Sequence, residues 1–255
     1  MQAVRRESAR MPHHTGCTRE AFLERAGLGL AAAAFAGDAL GAPAAALAAG
    51  PSKGPAMAAS SPAEALRLLQ AGNARFVGGT PECGSLTSRV MELASGQSPF
   101  AIVLGCSDSR VPIETIFDQI PGNVFVVRIA GNFLNDDNYG SIEYSVAVLK
   151  SKLILVLGHS SCGAVGAAVA FAKDGTTQPG HIASLVTAIA PAAQATRNMP
   201  GDWLANAVAE NVRRNVAAMT SGSTIIADAV RAGDVEVTGG IYDLHTGRVT
   251  LFPSP

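Results

Sequence analysis

Charged side chains are scarce in this chain: 20 acidic and 19 basic residues make up 15% of its 255, for a formal net charge of -1. So sparse and balanced a set leaves no basic excess to meet a nucleic acid backbone. Cysteine is scarce too. Four cysteines at uneven spacing in a chain this long do not form a disulfide framework. Cys17 and Cys83 have no evident partner, whereas Cys106 and Cys162 sit in patterned stretches. Internal repeats are lacking. What is there is an ordinary globular composition, 48% hydrophobic, enough for one good-sized domain and an appendage.

The appendage lies at the amino-terminal end. "TREAFLERAGLGLAAAAFAG" (Thr18 to Gly37) leads from charged residues into an uncharged stretch, Ala26 to Gly37, too short to span a bilayer. Asp38 and Pro43 interrupt it, and "ALA" (Ala46 to Ala48) has the small-x-small pattern of a cleavage site. Residues 1–48 read as an export signal, with no lasting membrane span once processed. The segment resembles a twin-arginine signal, Ser/Thr-Arg-Arg-x-Phe-Leu, in Thr18, Arg19, Phe22 and Leu23, but Glu20 replaces the second arginine. The competing reading is a disordered Ala-rich extension on a cytoplasmic protein. Residues 49–60, rich in Pro, Gly, Ser and Ala, read as a linker.

The domain spans residues 61–255. Ser61 as N-cap, Pro62 at the first helical position and Glu64 at the third predict a helix, with Leu66, Leu69 and Phe76 near one face and Gly78-Gly79 as its stop. Five short apolar runs follow: Phe100 to Leu104, Val124 to Val127, Leu153 to Leu157, Val235 to Ile241 and Val249 to Phe252. The first three lack polar alternation and read as strands buried on both faces. Helical patterns at Tyr139 to Leu149 and Cys162 to Lys173 separate them. Alternating strands and helices predict an α/β fold. Its mostly parallel sheet has strand order 2-1-3-4, helices on both sides and an antiparallel edge strand after "DLHTG".

In "LGCSDSRVP" a cysteine, an aspartate and an arginine (Cys106, Asp108, Arg110) alternate directly after the first apolar run; "HSSCG" (His159 to Gly163) follows the third. With order 2-1-3, the first and third strands are neighbours whose connections leave in opposite directions. A crevice opens there, beyond the carboxyl ends of the strands. Cys106, Asp108, His159 and Cys162 then converge. Two thiolates, an imidazole and a carboxylate suit Zn²⁺. Asp108 closes the site when bound to the metal and frees a position when turned away. Arg110 is the natural partner to hold it off by a bidentate pair. A structural zinc with four protein ligands satisfies the same residues.

"CSDSRVP" and "GHSSCG" together resemble the β-class carbonic anhydrases, over about Ser61 to Phe252 and including "PGNVFVVRIAGN", "GSIEYSV" and "GGIYDLHTGRV". The resemblance implies interconversion of carbon dioxide and bicarbonate by zinc-bound hydroxide. It assigns zinc to Cys106, His159 and Cys162, with Asp108 and Arg110 as the catalytic dyad, and implies a homodimer or a dimer of dimers. It also implies that Gln97, nine residues before the first zinc cysteine, hydrogen-bonds the substrate, and that Phe125, Ala130 and Tyr144 line an apolar substrate pocket. One group of the family has a regulatory bicarbonate pocket with a tryptophan where this chain has Val103; Arg128 matches that group's pocket arginine without discriminating. The chain is similar to the other, unregulated group. Ala164 replaces a glycine that often follows the zinc cysteine. Rival readings are a carbon disulfide or carbonyl sulfide hydrolase on the same scaffold and a non-catalytic zinc protein. A dithiol redox protein fits poorly without a Cys-x-x-Cys motif.

Overall fold

Ser61 opens the first helix as its sequence anticipates. Its hydroxyl accepts the Glu64 amide, Pro62 occupies the first turn, and Gly79, at φ 66°, ends α1 (Pro62–Gly78). The Glu64 carboxylate reaches back to accept the Ser60 amide and hydroxyl. Such a reciprocal arrangement satisfies amides that a helix start leaves unpaired. The computed structural model describes residues 59–82 and 86–253. The export signal, all of the linker but its last two residues, Cys17 and Cys83 lie outside the described residues.

After α1 come α2 (Leu86–Glu92), a 3-10 turn (Leu93–Ser95), β1 (Ala101–Gly105), α3 (Ile113–Ile116) and β2 (Val124–Arg128). The chain continues through α4 (Asp136–Ala147), β3 (Leu153–His159), α5 (Gly163–Asp174), α6 (Ile182–Ala195), α7 (Trp203–Ser221), α8 (Thr224–Arg231), β4 (Glu236–Tyr242) and β5 (Val249–Leu251). The sheet order is β2-β1-β3-β4-β5, parallel throughout except for β5. This is the expected architecture, and the expected strands match to within two residues at either end. The helices α6, α7 and α8 were not singled out by the sequence pattern.

Alternate residues of the central strands feed two cores. Ala101, Val103, Leu153, Leu155 and Leu157 pack with Ala65 and Leu69 of α1 and with Ile113 and Ile116 of α3. Ile102, Leu104, Ile154 and Val156 face Ile142 of α4, Val212 and Met219 of α7, and Ile226 of α8. Helix α1 approaches the chain after α3 closely: a Cβ at Gly72 would meet the Phe117 carbonyl oxygen at 1.8 Å. Asn73 ties the same helix to the sheet edge, donating to the Ile116 and Gly247 carbonyls and accepting from the Val249 amide.

β1 and β3 are buried along their whole length, but β2 departs from the expectation of burial on both faces. It is the edge strand, so Val124, Phe125 and Val126 remain half-exposed. No helix among the described residues is long and apolar enough to cross a membrane.

Candidate metal centre

β1 and β3 lie side by side in parallel register, Gly105 opposite Leu157. The chain leaves β1 towards β2 on one flank and leaves β3 towards β4 on the other. At the carboxyl ends of these two strands, where the connections diverge, three buried side chains meet. Cys106 follows β1 directly, His159 ends β3, and Cys162 is the N-cap of α5. Cys162 thus sits just before the first helical turn rather than within it, because its extended backbone, at ψ 117°, belongs to the loop.

The ligand atoms of Cys106, His159 and Cys162 lie within 4.8 Å of one another. The two sulfurs are 4.0 Å apart. Zinc–thiolate bonds of about 2.3 Å in a tetrahedron require about 3.8 Å between sulfurs. His159 is fully buried, and its Nε2 has no hydrogen-bond partner within the protein. Its Nδ1 is 2.9 Å from the Ser160 carbonyl oxygen. A proton on Nδ1 satisfies that carbonyl and leaves Nε2 as a free lone pair, the tautomer a metal needs. An orphaned buried nitrogen beside two buried thiols costs stability unless something binds there. The donor set and spacing therefore fit zinc.

The thiols also perturb each other. The hydrogen bond between them holds Cys106 well below an ordinary thiol, with help from His159 and the Gly131 amide, while burial opposes the shift. The same bond, together with burial, raises Cys162, against which the Val165 and Ala164 amides at the start of α5 pull.

Asp108 stands beside this trio without belonging to it. Its Oδ2 is 3.9 Å from His159 Nε2, yet both carboxylate oxygens are engaged by Arg110. Arg110 Nη2 also donates to the Ser161 carbonyl at 3.4 Å, which joins the two ligand loops. The Arg110 hydrogen bonds keep Asp108 far below the usual carboxylate range, although burial works in the opposite direction. Arg128 braces the first loop from below, donating to the carbonyls of Cys106 at 2.9 Å and Asp108 at 2.7 Å. That bracing role was not read from the sequence.

Of the remaining expected site residues, Ala130 is the nearest in sequence to a contact with the cluster. It precedes Gly131, whose amide donates to Cys106 Sγ at 3.3 Å. The structure of one chain does not bring Gln97, Phe125 or Tyr144 there. Gln97 precedes β1 and is exposed at the end of the sheet opposite Cys106, a strand length of about 16 Å away. Phe125 pairs in register with Ile102, four residues before Cys106. Tyr144 lies next to Phe125, with ring centroids 6.5 Å apart, and is 48% exposed.

The fold and the cluster define an α/β protein with a buried thiolate–imidazole centre of metal-binding geometry, set where the strand order reverses. Residues 101–249 match the family model described as carbonic anhydrase. Carbonic anhydrase 2 of Mycobacterium tuberculosis is 40% identical over 193 residues, covering 75% of this chain and 93% of that protein. The carbonic anhydrase of Mycolicibacterium smegmatis is 41% identical, covering 75% of this chain and 94% of its own. Among solved structures, one of two tetrameric β-carbonic anhydrases from Sordaria macrospora superposes with a TM-score of 0.57 at 28% identity, over 65% of this chain and 86% of that one. A Coccomyxa β-carbonic anhydrase in complex with acetazolamide gives a TM-score of 0.56 at 30% identity, over 64% and 75%. The chain belongs to the β-class carbonic anhydrases, a family of enzymes.

Proposed function

We propose that this chain catalyses the reversible hydration of carbon dioxide to bicarbonate and a proton, with zinc held by Cys106, His159 and Cys162. The observation that carries the reading is the split among four candidate ligands. Three converge with an orphaned His159 Nε2, while the fourth, Asp108, is held by Arg110. Held by these three residues, zinc would acidify water and so supply a nucleophile near neutral pH. Arg110 keeps the Asp108 carboxylate away from the ligand set and leaves a coordination position for water. Asp108 remains ionised and has spare lone pairs, so it can accept a hydrogen bond from the attacking oxygen and orient it towards carbon. Ala130 supplies an apolar wall.

Gln97, Phe125 and Tyr144 serve the same pocket only if another copy presents them, because within one chain they sit along the strands from the cluster. We therefore assign the working unit as a homodimer or a dimer of dimers. The half-exposed β2 edge and the exposed Tyr144 support this assembly, as do the tetrameric relatives from Sordaria macrospora. In that arrangement the Gln97 amide donates to a substrate oxygen, and Phe125 and Tyr144 line the apolar side.

Residues 1–48 are proposed as an export signal and 49–60 as a linker to the catalytic domain, placing the mature enzyme outside the cytoplasm. Thiolate ligands oxidise readily in such a compartment, so folding and metal loading before transport favour a route that carries folded proteins. Recovery of native protein only in the cytoplasm, with those residues intact, would reject export.

The test of function is stopped-flow carbon dioxide hydration between about pH 6.5 and 9, with zinc assayed on the same sample. Fast turnover proportional to zinc content is expected. Zinc-loaded protein inert at every pH would defeat the reading and turn attention to carbon disulfide and carbonyl sulfide.

A further inference from the structure

The Cys106 sulfur has a buried partner, the Gly131 amide, in a loop that helix α7 holds. Gly131 lies in a tight turn: the Asn132 amide donates back to the Ile129 carbonyl, and Gly131 takes a φ of 85°. A side chain there is excluded twice, by that left-handed φ and by Ile189 Cδ1, which a Cβ would meet at 2.3 Å. The next carbonyl, that of Gly131 itself, accepts from Asn211 Nδ2 at 2.8 Å. Asn215, one helical turn on, donates to the Asn211 carbonyl at 2.8 Å and accepts the Leu134 amide at 2.8 Å. Two asparagines of α7 thus grip both ends of the loop from Gly131 to Leu134.

These asparagines stand on the buried stripe of α7, among Val208, Val212 and Met219, and Asn211 is only 2% exposed. Amides on an apolar stripe cost desolvation and are retained where their hydrogen bonds fix something. We propose that Asn211 is a positioning residue for the metal centre: by holding the Gly131 carbonyl it directs the adjoining N–H onto Cys106 Sγ and so tunes the charge that sulfur donates to the metal. The inference rests on the reading of Cys106 as a ligand. An N–H bond to a thiolate withdraws charge from the sulfur and leaves the metal a stronger Lewis acid. In a centre where two thiolates offset both charges of a divalent ion, this withdrawal acts directly on acidity.

The test is cobalt(II) substitution of the full chain, read by its thiolate-to-cobalt charge-transfer absorption, alongside zinc retention against a chelator. Wild-type protein should show the bands; their absence would overturn the ligand reading and this inference with it. Asn211→Leu keeps the branched outline and removes the donor. Its bands should move to lower energy, and zinc retention against the chelator should change about tenfold. Val212→Ala, which loosens the same helix without touching the loop, should leave the bands in place. Unchanged bands and affinity in Asn211→Leu, or an equal shift in Val212→Ala, would overturn the proposal. Should Asn211→Leu fail to fold, wild-type protein loaded with ¹¹³Cd decides it. Scalar coupling from cadmium to the Gly131 amide proton, with slow exchange of the Asn211 side-chain amide, is expected. Absence of either would overturn the assignment.

Discussion

Arg110 grips Asp108 through two parallel hydrogen bonds, Nε to Oδ1 at 2.9 Å and Nη2 to Oδ2 at 2.7 Å, while the Arg110 backbone amide adds a third to Oδ1. The two residues are two positions apart, so the pair closes within a single loop, which Arg128 braces from β2. Its effect is nevertheless long-range. A carboxylate that is 3.9 Å from His159 Nε2 stays committed to a guanidinium.

Removing that guanidinium frees the carboxylate. In Arg110→Ala, Asp108 should turn onto the metal and occupy the position meant for water. Hydration should drop by about a hundredfold or more, with zinc content unchanged. Stopped-flow assay and metal analysis of one sample check this; near-normal turnover would reject the switch.

Asp108 should not set the pH dependence of turnover. Its folded-state pKa is held below the unfolded value of 3.8, first by the Arg110 hydrogen bond. The sign is that of a depressed acid: the stabilisation is complete above the unfolded value and is lost as pH falls through the lower folded value. Asp108→Asn should therefore lower the rate but keep the wild-type midpoint near neutral pH. In acid denaturation it should lose less stability than wild type below about pH 4. Unchanged kinetics would make the carboxylate a bystander.

Metal removal should weaken the fold as well as abolish catalysis. Stripping zinc exposes the cost of the unpaired His159 Nε2 beside two buried thiols. A ligand at a thousand times its Kd stabilises by about 4 kcal/mol, and each kcal/mol shifts the Tm of a chain this size by about 2–4 °C. Chelated protein should melt on the order of 10 °C lower, and added zinc should restore both Tm and turnover. Equal melting of both forms would mean that no metal binds there.

Gly72→Ala probes the fold away from the site. A methyl group 1.8 Å from the Phe117 carbonyl oxygen meets backbone, which cannot swing aside like a side chain. Undocking α1 or shifting it should cost about 3 kcal/mol or more. Denaturant unfolding measures it, and a cost under about 1 kcal/mol would show that α1 sits less tightly.

Tyr144→Arg tests the proposed assembly. A charge beside Phe125 on the exposed β2 flank should shift the protein towards monomer in light scattering and reduce hydration, with zinc retained. Full activity in a proven monomer would remove Phe125, Tyr144 and Gln97 from the pocket.

Much of the architecture was legible because the signals are local. The Ser61 cap, the apolar runs that became β1 and β3, and the Cys-x-Asp-x-Arg and His-x-x-Cys spacings each depend on a few consecutive residues. The half-exposure of β2 was less so, since an apolar run reads the same whether or not a neighbour covers it. Helix α7 escaped for a related reason: polar Asn211 and Asn215 interrupt its apolar stripe, and only their partners in the loop from Gly131 to Leu134 explain them.

By itself, the sequence determined which chemical groups the centre has, the order in which the strands carry them and the fold that such alternation produces. Periodicity and turn chemistry act over a few residues and are written in the chain. Tertiary structure decided that the Cys106 and Cys162 sulfurs lie 4.0 Å apart, that Asp108 faces Arg110, and that Gln97 and Tyr144 lie away from the centre of their own chain. Those outcomes depend on rotamers and on contacts between distant segments, whose energies exist only once the sheet has brought the strand ends together.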